Sequence, residues 1–259
     1  ISHIRRIDGH EAVYASPPSS LPDPVIRYLE RSGIRLYSHQ AEAAAAVPAG
    51  EDVILCTPTA SGKTLAFLLP FCKMRADDPE ATALAIYPAK ALTRDQLAAA
   101  RALAEETGIP LNPAIYDGDT PRHDRPAIRS NAGLVLTNPY EIHHILPWHH
   151  QWSSFFSRLR YIIIDEAHQY RGVFGSHMAL VIRRLLRIAA NYGSDPVFLL
   201  SSATLANPED FARELTGRTV RVISESGAPS GTRYFILYNP SHAGPGAHSV
   251  YPESATLLA

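Results

Sequence analysis

Asp52-Val53-Ile54-Leu55-Cys56 runs without a break into Thr57-Pro58-Thr59-Ala60-Ser61-Gly62-Lys63-Thr64, and a helical run then continues to Arg75. No other stretch limits the fold so sharply. Four consecutive apolar residues show no polar alternation, so this strand is covered on both faces. Sheets of that kind are parallel and carry helices on either side. The rest of the chain repeats the pattern. Apolar strands are expected at 83–87, 113–116, 134–137, 161–165, 196–201, 220–223 and 234–238, with helices at 92–106, 139–146, 175–191 and 208–215 between them. Two shorter helices come first, one near 24–30 that stops at Gly33 and one over 39–47 that Ser38 can cap and Pro48 stops. The fold class is α/β, with a central, mostly parallel sheet flanked by helices. Ligands in such sheets bind at the carboxyl ends of the strands.

Composition narrows the function. The 259 residues carry 24 Lys+Arg against 25 Asp+Glu, a net charge of −1, so a nucleic-acid partner would need a local patch and not bulk basicity. Hydrophobic residues at 46% exclude a disordered chain. No apolar run approaches the ~20 residues of a membrane span, and the first residues lack the apolar core of a signal peptide. Cys56 and Cys72 are too few for a disulfide framework, which suits a reducing cytoplasm. Lysine occurs only at 63, 73 and 90, and arginine supplies the remaining cations, a bias that reads as GC-rich coding and gives each lysine present added weight as a functional candidate.

Three motifs carry chemistry. In the first, a strand, a turn and a helix frame Thr59, Ala60, Ser61, Gly62, Lys63 and Thr64, the setting of a phosphate-binding loop. Backbone N–H groups at the helix start attract phosphate oxygens, Lys63 reaches the β/γ-phosphates, and Thr64 can ligate Mg²⁺. The second, Asp165-Glu166-Ala167-His168, ends the most apolar strand. Its carboxylates fall on the same rim as the loop, where Asp165 can hold Mg²⁺ and Glu166 can polarise water. The third, Ser202-Ala203-Thr204, offers hydroxyls that can hydrogen-bond the acidic motif.

In this order and spacing the motifs resemble the first RecA-like P-loop domain of superfamily 2 helicases, in the Asp-Glu-Ala-His form. The resemblance implies that Tyr37 and Gln40 meet the adenine of ATP. It also implies that Lys63, Asp165 and Glu166 are catalytic and that His168, Ser202 and Thr204 couple the nucleotide to the nucleic acid. Tyr87-Pro88-Ala89-Lys90, Tyr116-Asp117-Gly118-Asp119-Thr120 and Thr137-Asn138-Pro139 are similar to the family's backbone-binding motifs, which puts single-stranded or tailed DNA across Lys90, Gly118, Asp119, Thr120, Thr137 and Asn138. Over about residues 30 to 240, and most specifically over Asp165 to Arg184, the chain is similar to the mitomycin-repair-type (MrfA-like, RecQ-related) helicases. That resemblance implies a 3′-to-5′ DNA motor in DNA repair, ATP and Mg²⁺ as cofactors, and a second RecA-like domain of the same polypeptide that completes the site. The expected organisation is an N-terminal arm over 1–24, the ATP-binding domain over 25–240, and a linker with the start of the second domain over 241–259. An RNA helicase or duplex translocase of the same superfamily, or a nucleotide-binding scaffold without turnover, stays open at this point.

Other features have plain readings. His143, His144, His149 and His150 match no zinc spacing and read as surface or packing residues. Trp148 and Trp152 read as core or rim packing before base stacking. Arg122, Arg125 and Arg129 are either a basic face or a solvated one. The loop Tyr170–Gly175 serves either DNA or packing.

Overall fold

The computed structural model describes residues 3–58 and 61–237. It comprises two units: Val13–Ala228, and a smaller one formed by Ile1–Ala12 with Pro229–Ala259.

Strand residues two apart share a face, so a strand buried on both sides must feed two cores. The larger unit does this. Its sheet has seven strands: β2 (Val53–Cys56), β3 (Thr82–Ile86), β4 (Pro113–Ile115), β5 (Leu134–Thr137), β6 (Leu159–Ile164), β7 (Val197–Ser202) and β8 (Arg221–Ile223). They run in the spatial order β4-β5-β3-β6-β7-β2-β8, and every pairing is parallel. Val53, Leu55, Ala83, Ala85 and Ile163 enter one apolar layer, with Phe67, Leu69 and Phe71. Their neighbours Ile54, Cys56, Leu84, Ile86, Ile162 and Ile164 enter the other, with Met178, Ile182 and Leu185. Helices α1 (Asp23–Arg31), α2 (Ser38–Ala46), α3 (Lys63–Asp77) and α4 (Lys90–Thr107) supply the first layer. The second is supplied by α5 (Arg125–Asn131), α6 (Pro139–Ile145), α7 (Ser153–Ser157), α8 (Gly172–Asn191) and α9 (Pro208–Thr216).

Several expectations change. Tyr37, not Ser38, is the N-cap of α2, and the Gln40 side chain accepts the Tyr37 amide at 2.9 Å. Residues 146–152 form a 3₁₀ turn leading into α7, which the sequence pattern did not announce. Pro147 and a cluster of histidines hide any 3.6-residue period there, and burial of Trp152, Phe155 and Phe156 holds the segment instead. Residues 13–22 are not loose: Ala15 donates to Leu36 O, Ser38 to Val13 O and Val13 to Gly227 O, and Leu21 is buried. The strand expected at 234–238 does not close the main sheet. As β9 (Arg233–Leu237) it pairs antiparallel with β1 (His3–Ile7) in the smaller unit, with both strands exposed. The linker and domain start expected over 241–259 lie outside the described residues. No described helix is long and apolar enough to cross a membrane.

Candidate nucleotide and nucleic-acid site

β7 lies between β6 and β2, and the register aligns Cys56 with Ser202 and Ile164 with Leu200. The residues that follow these three strands therefore emerge side by side at the carboxyl rim. Three motifs far apart in sequence converge there through hydrogen bonds.

The loop after β2 turns into α3 at Gly62, whose φ of +82° lies in the left-handed region that favours glycine. Thr57 and Ser61 share a hydroxyl hydrogen bond of 2.8 Å beneath it. Thr59 and Ala60 lie outside the described residues. Gln40 Nε2 donates to Gly62 O at 2.9 Å, so both ends of this buried amide are engaged within the fold, one on α2 and one on the loop. His39, also buried, is a supporting residue that sequence reasoning missed. Its Nδ1 accepts the Gly227 amide at 3.2 Å, which leaves the proton on Nε2 to donate to Ser61 O at 3.0 Å. Tyr37 is half-buried, stacked on Tyr14 at 5.5 Å and nearly parallel to His39 at 5.9 Å.

Lys63 Nζ donates to the carbonyl of Ser202 at 2.9 Å. Burial lowers its pKa, and the charges of Glu166 and Asp165 oppose that shift. The two carboxylates keep this partly desolvated ammonium charged, and its Nζ can exchange the Ser202 carbonyl for a phosphate oxygen. Burial pushes the Cys56 thiol at the base of the loop up to about 11, so it stays protonated and inert. The Thr64 hydroxyl accepts a hydrogen bond from Gln96 of α4 at 2.9 Å.

At the end of β6, Asp165 is buried. It accepts the Ser201 hydroxyl and, at 2.9 Å, the Glu166 amide, both on Oδ1. The hydroxyl that meets the acidic motif thus belongs to Ser201, one residue before the expected Ser202. Ser202 contributes its carbonyl to Lys63, while its own hydroxyl is buried without a partner among the described residues. Thr204 is exposed and engages nothing in the acidic motif. Glu166 has φ +49°, a strained conformation for a residue with a side chain. His168 Nδ1 accepts the Ala203 amide at 3.2 Å and stands 3.3 Å from Glu166 Oε2, joining the acidic motif to the end of β7.

The residues expected to meet DNA divide. Lys90, at the start of α4, pairs with Asp119 at 2.7 Å on the surface, and Gly118 is exposed beside them. Thr120 closes its own loop, accepting the Asp117 amide at 2.9 Å. Asn138 caps α6 by accepting the Glu141 amide at 3.0 Å. Thr137 is a correction: it is fully buried and donates to Tyr116 O at 2.6 Å, so its hydroxyl faces the fold and not a phosphate. Arg125, read as either basic face or solvated, reaches Asp117 O at 3.0 Å and Thr120 O at 3.2 Å and so braces the glycine-containing loop.

Residues 37–211 match the model of the DEAD/DEAH box helicase family. The chain is 46% identical over 236 residues to the uncharacterized ATP-dependent helicase YprA of Bacillus subtilis, covering 90% of this chain and 32% of that one. It is 38% identical to the ATP-dependent helicase HRQ1 of Saccharomyces cerevisiae, covering 93% and 23%. A crystal structure of the DUF1998 helicase MrfA bound to DNA and AMPPNP superposes with a TM-score of 0.88 at 45% identity, covering 92% of this chain and 34% of that one. The chain therefore spans between about a quarter and a third of the length of these relatives.

Proposed function

This chain belongs to the DEAD/DEAH box helicase family, and on that premise we propose that it is the ATP-binding motor domain of an ATP-dependent DNA helicase. The observation that carries the reading is the meeting of Lys63, Asp165 and Glu166 around the end of β7. A triphosphate at this rim would draw the Lys63 ammonium from Ser202 O to its own β/γ oxygens. The released Ser202 carbonyl and the Ser201–Asp165 hydrogen bond lie on one strand end, so nucleotide occupancy acts directly on β7. Through His168, bonded to the Ala203 amide, it acts on the segment that follows. Ser61, Gly62 and their loop neighbours Thr59 and Ala60 would cradle the phosphates. Adenine would lie against Tyr37, and Gln40 would have to exchange its present partners to read the base edge.

The donor set suits Mg²⁺: Thr64 offers a hydroxyl, and Asp165 keeps Oδ2 free of hydrogen bonds among the described residues. When bound, the ion would neutralise charge on the β/γ-phosphates. Glu166, whose Oε1 has no hydrogen-bond partner among the described residues, would orient and deprotonate the attacking water. Single-stranded or tailed DNA would follow Lys90, Gly118, Asp119 and the loop that Thr120 closes, held by its backbone. Asn138 would act on it indirectly, through the start of α6. The relatives' greater length supports a second RecA-like domain that closes the site, with a 3′-to-5′ direction, a role in DNA repair and a bacterial cytoplasmic setting as the finer parts of this proposal.

The test is DNA-stimulated ATP hydrolysis by the longer polypeptide, with the present chain as control. The chain alone should bind nucleotide and turn it over weakly. Lys63→Ala should lose binding. Glu166→Gln should keep the affinity while turnover falls at least about 100-fold. Equal hydrolysis by Glu166→Gln and wild type would overturn the role given to Glu166.

A further inference from the structure

A cleft of about 460 Å³ opens between α5, α6 and the 3₁₀ turn at 146–152. Its composition is unusual for a solvated surface. Tyr140 is 71% exposed and Trp148 60% exposed, two large rings that line the cleft. Tyr140 meets His144 edge-on at 4.5 Å. Tyr116 and Trp152, packed edge to face at 4.7 Å, form a buried aromatic floor. Arg125 and Arg129 supply donors along one wall, while the buried carboxylate of Glu141 stands 3.7 Å from Arg125.

We propose that this cleft receives an unstacked base of single-stranded DNA, a reading that rests on the DNA-motor function above. Stacking on aromatic rings is how proteins hold bases without reading sequence. Glu141 argues for a base over a phosphate: a carboxylate repels an anion but accepts hydrogen bonds from exocyclic amines, and Arg125 and Arg129 complement it by donating to ring carbonyls and nitrogens. Position argues the same way. Arg125 forms the wall of the cleft and also holds Asp117 O and Thr120 O, so the cleft adjoins the loop and Lys90–Asp119 pair proposed to face the backbone. A strand tracked there by its phosphates can turn one base onto Tyr140 and Trp148.

The chain has two tryptophans, and both line the cleft, Trp148 exposed and Trp152 in its floor, so quenching of indole fluorescence reports on its occupancy. The experiment titrates the chain with a single strand of about 12 nucleotides and with an abasic strand of the same length. The intact strand should quench and bind about tenfold more tightly than the abasic one. Trp148→Ala and Tyr140→Ala, both at exposed positions, should each weaken the intact strand about tenfold, leave the abasic strand unchanged, and be rescued by Trp148→Phe and Tyr140→Phe. Equal binding of intact and abasic strands, or Trp148→Ala and Tyr140→Ala variants that bind the intact strand as wild type does, would overturn the cleft while leaving the DNA reading in place. Binding of neither strand would overturn both.

Discussion

His39 shows how much a single side chain can determine at this site. Its two nitrogens join the loop residue Ser61 to Gly227, and the bond that Nδ1 accepts from the Gly227 amide needs the neutral ring with its proton on Nε2. Burial lowers its pKa, the Ser61 carbonyl opposes that, and the Lys63 charge lowers it further. The folded value therefore lies below the ~6.5 of an unfolded histidine, and as pH falls the unfolded chain takes up the proton first. Stability from this group is complete above pH ~6.5 and is lost as pH drops below it. Urea unfolding at pH ~7.5 and pH ~5.5 should show this loss in wild type, and His39→Gln should flatten the difference. A variant with the full wild-type pH dependence would assign the effect elsewhere. The sequence disclosed Lys63, Asp165 and Glu166 because their spacing reports chemistry. It could not disclose His39 or Ser201, whose importance comes from partners 22 and 36 residues away.

Elements at this rim are joined by tight turns, and Gly62 is where one turn admits no side chain. Its φ is +82°, and a Cβ there would lie 2.5 Å from Gln40 Nε2, the group that ties α2 to the loop. Gly33, after α1, has φ +64° but nothing within 4 Å. Both pay the left-handed cost of roughly 1–2 kcal/mol on substitution by alanine, but only Gly62 adds a displaced hydrogen-bond partner. Gly62→Ala should therefore lower the melting temperature more than Gly33→Ala and weaken nucleotide binding, which Gly33→Ala should leave unchanged. Matching losses of stability and affinity in the two variants would show that the Gln40 contact is unimportant. Elements with a clean two-sided apolar pattern, β2, β3, β5, β6 and β7, were legible in the sequence to within a residue or two. The 3₁₀ turn and α7 were not, because long-range burial of Trp152, Phe155 and Phe156 stabilises them against a local pattern that favours neither helix nor strand.

At the scale of the molecule, the sheet, both apolar layers and every described residue of the proposed nucleotide site belong to Val13–Ala228. The antiparallel pair β1 and β9 is exposed along its whole length and contributes no residue to either layer. A two-stranded ribbon of that kind is marginal by itself, whereas a seven-stranded sheet with helices on both faces has a full core. Sequence pattern could not separate the two, because β9 reads as one more apolar strand in the series, and only pairing partners distinguish it. A chain trimmed to residues 13–228 should unfold in one cooperative transition close to the intact chain's melting temperature, with unchanged nucleotide affinity and the same loss of binding on Lys63→Ala. Calorimetry and nucleotide titration of the trimmed and intact chains decide this. Were the trimmed chain to melt without a cooperative transition, β1 and β9 would have to be counted as part of the motor's own fold.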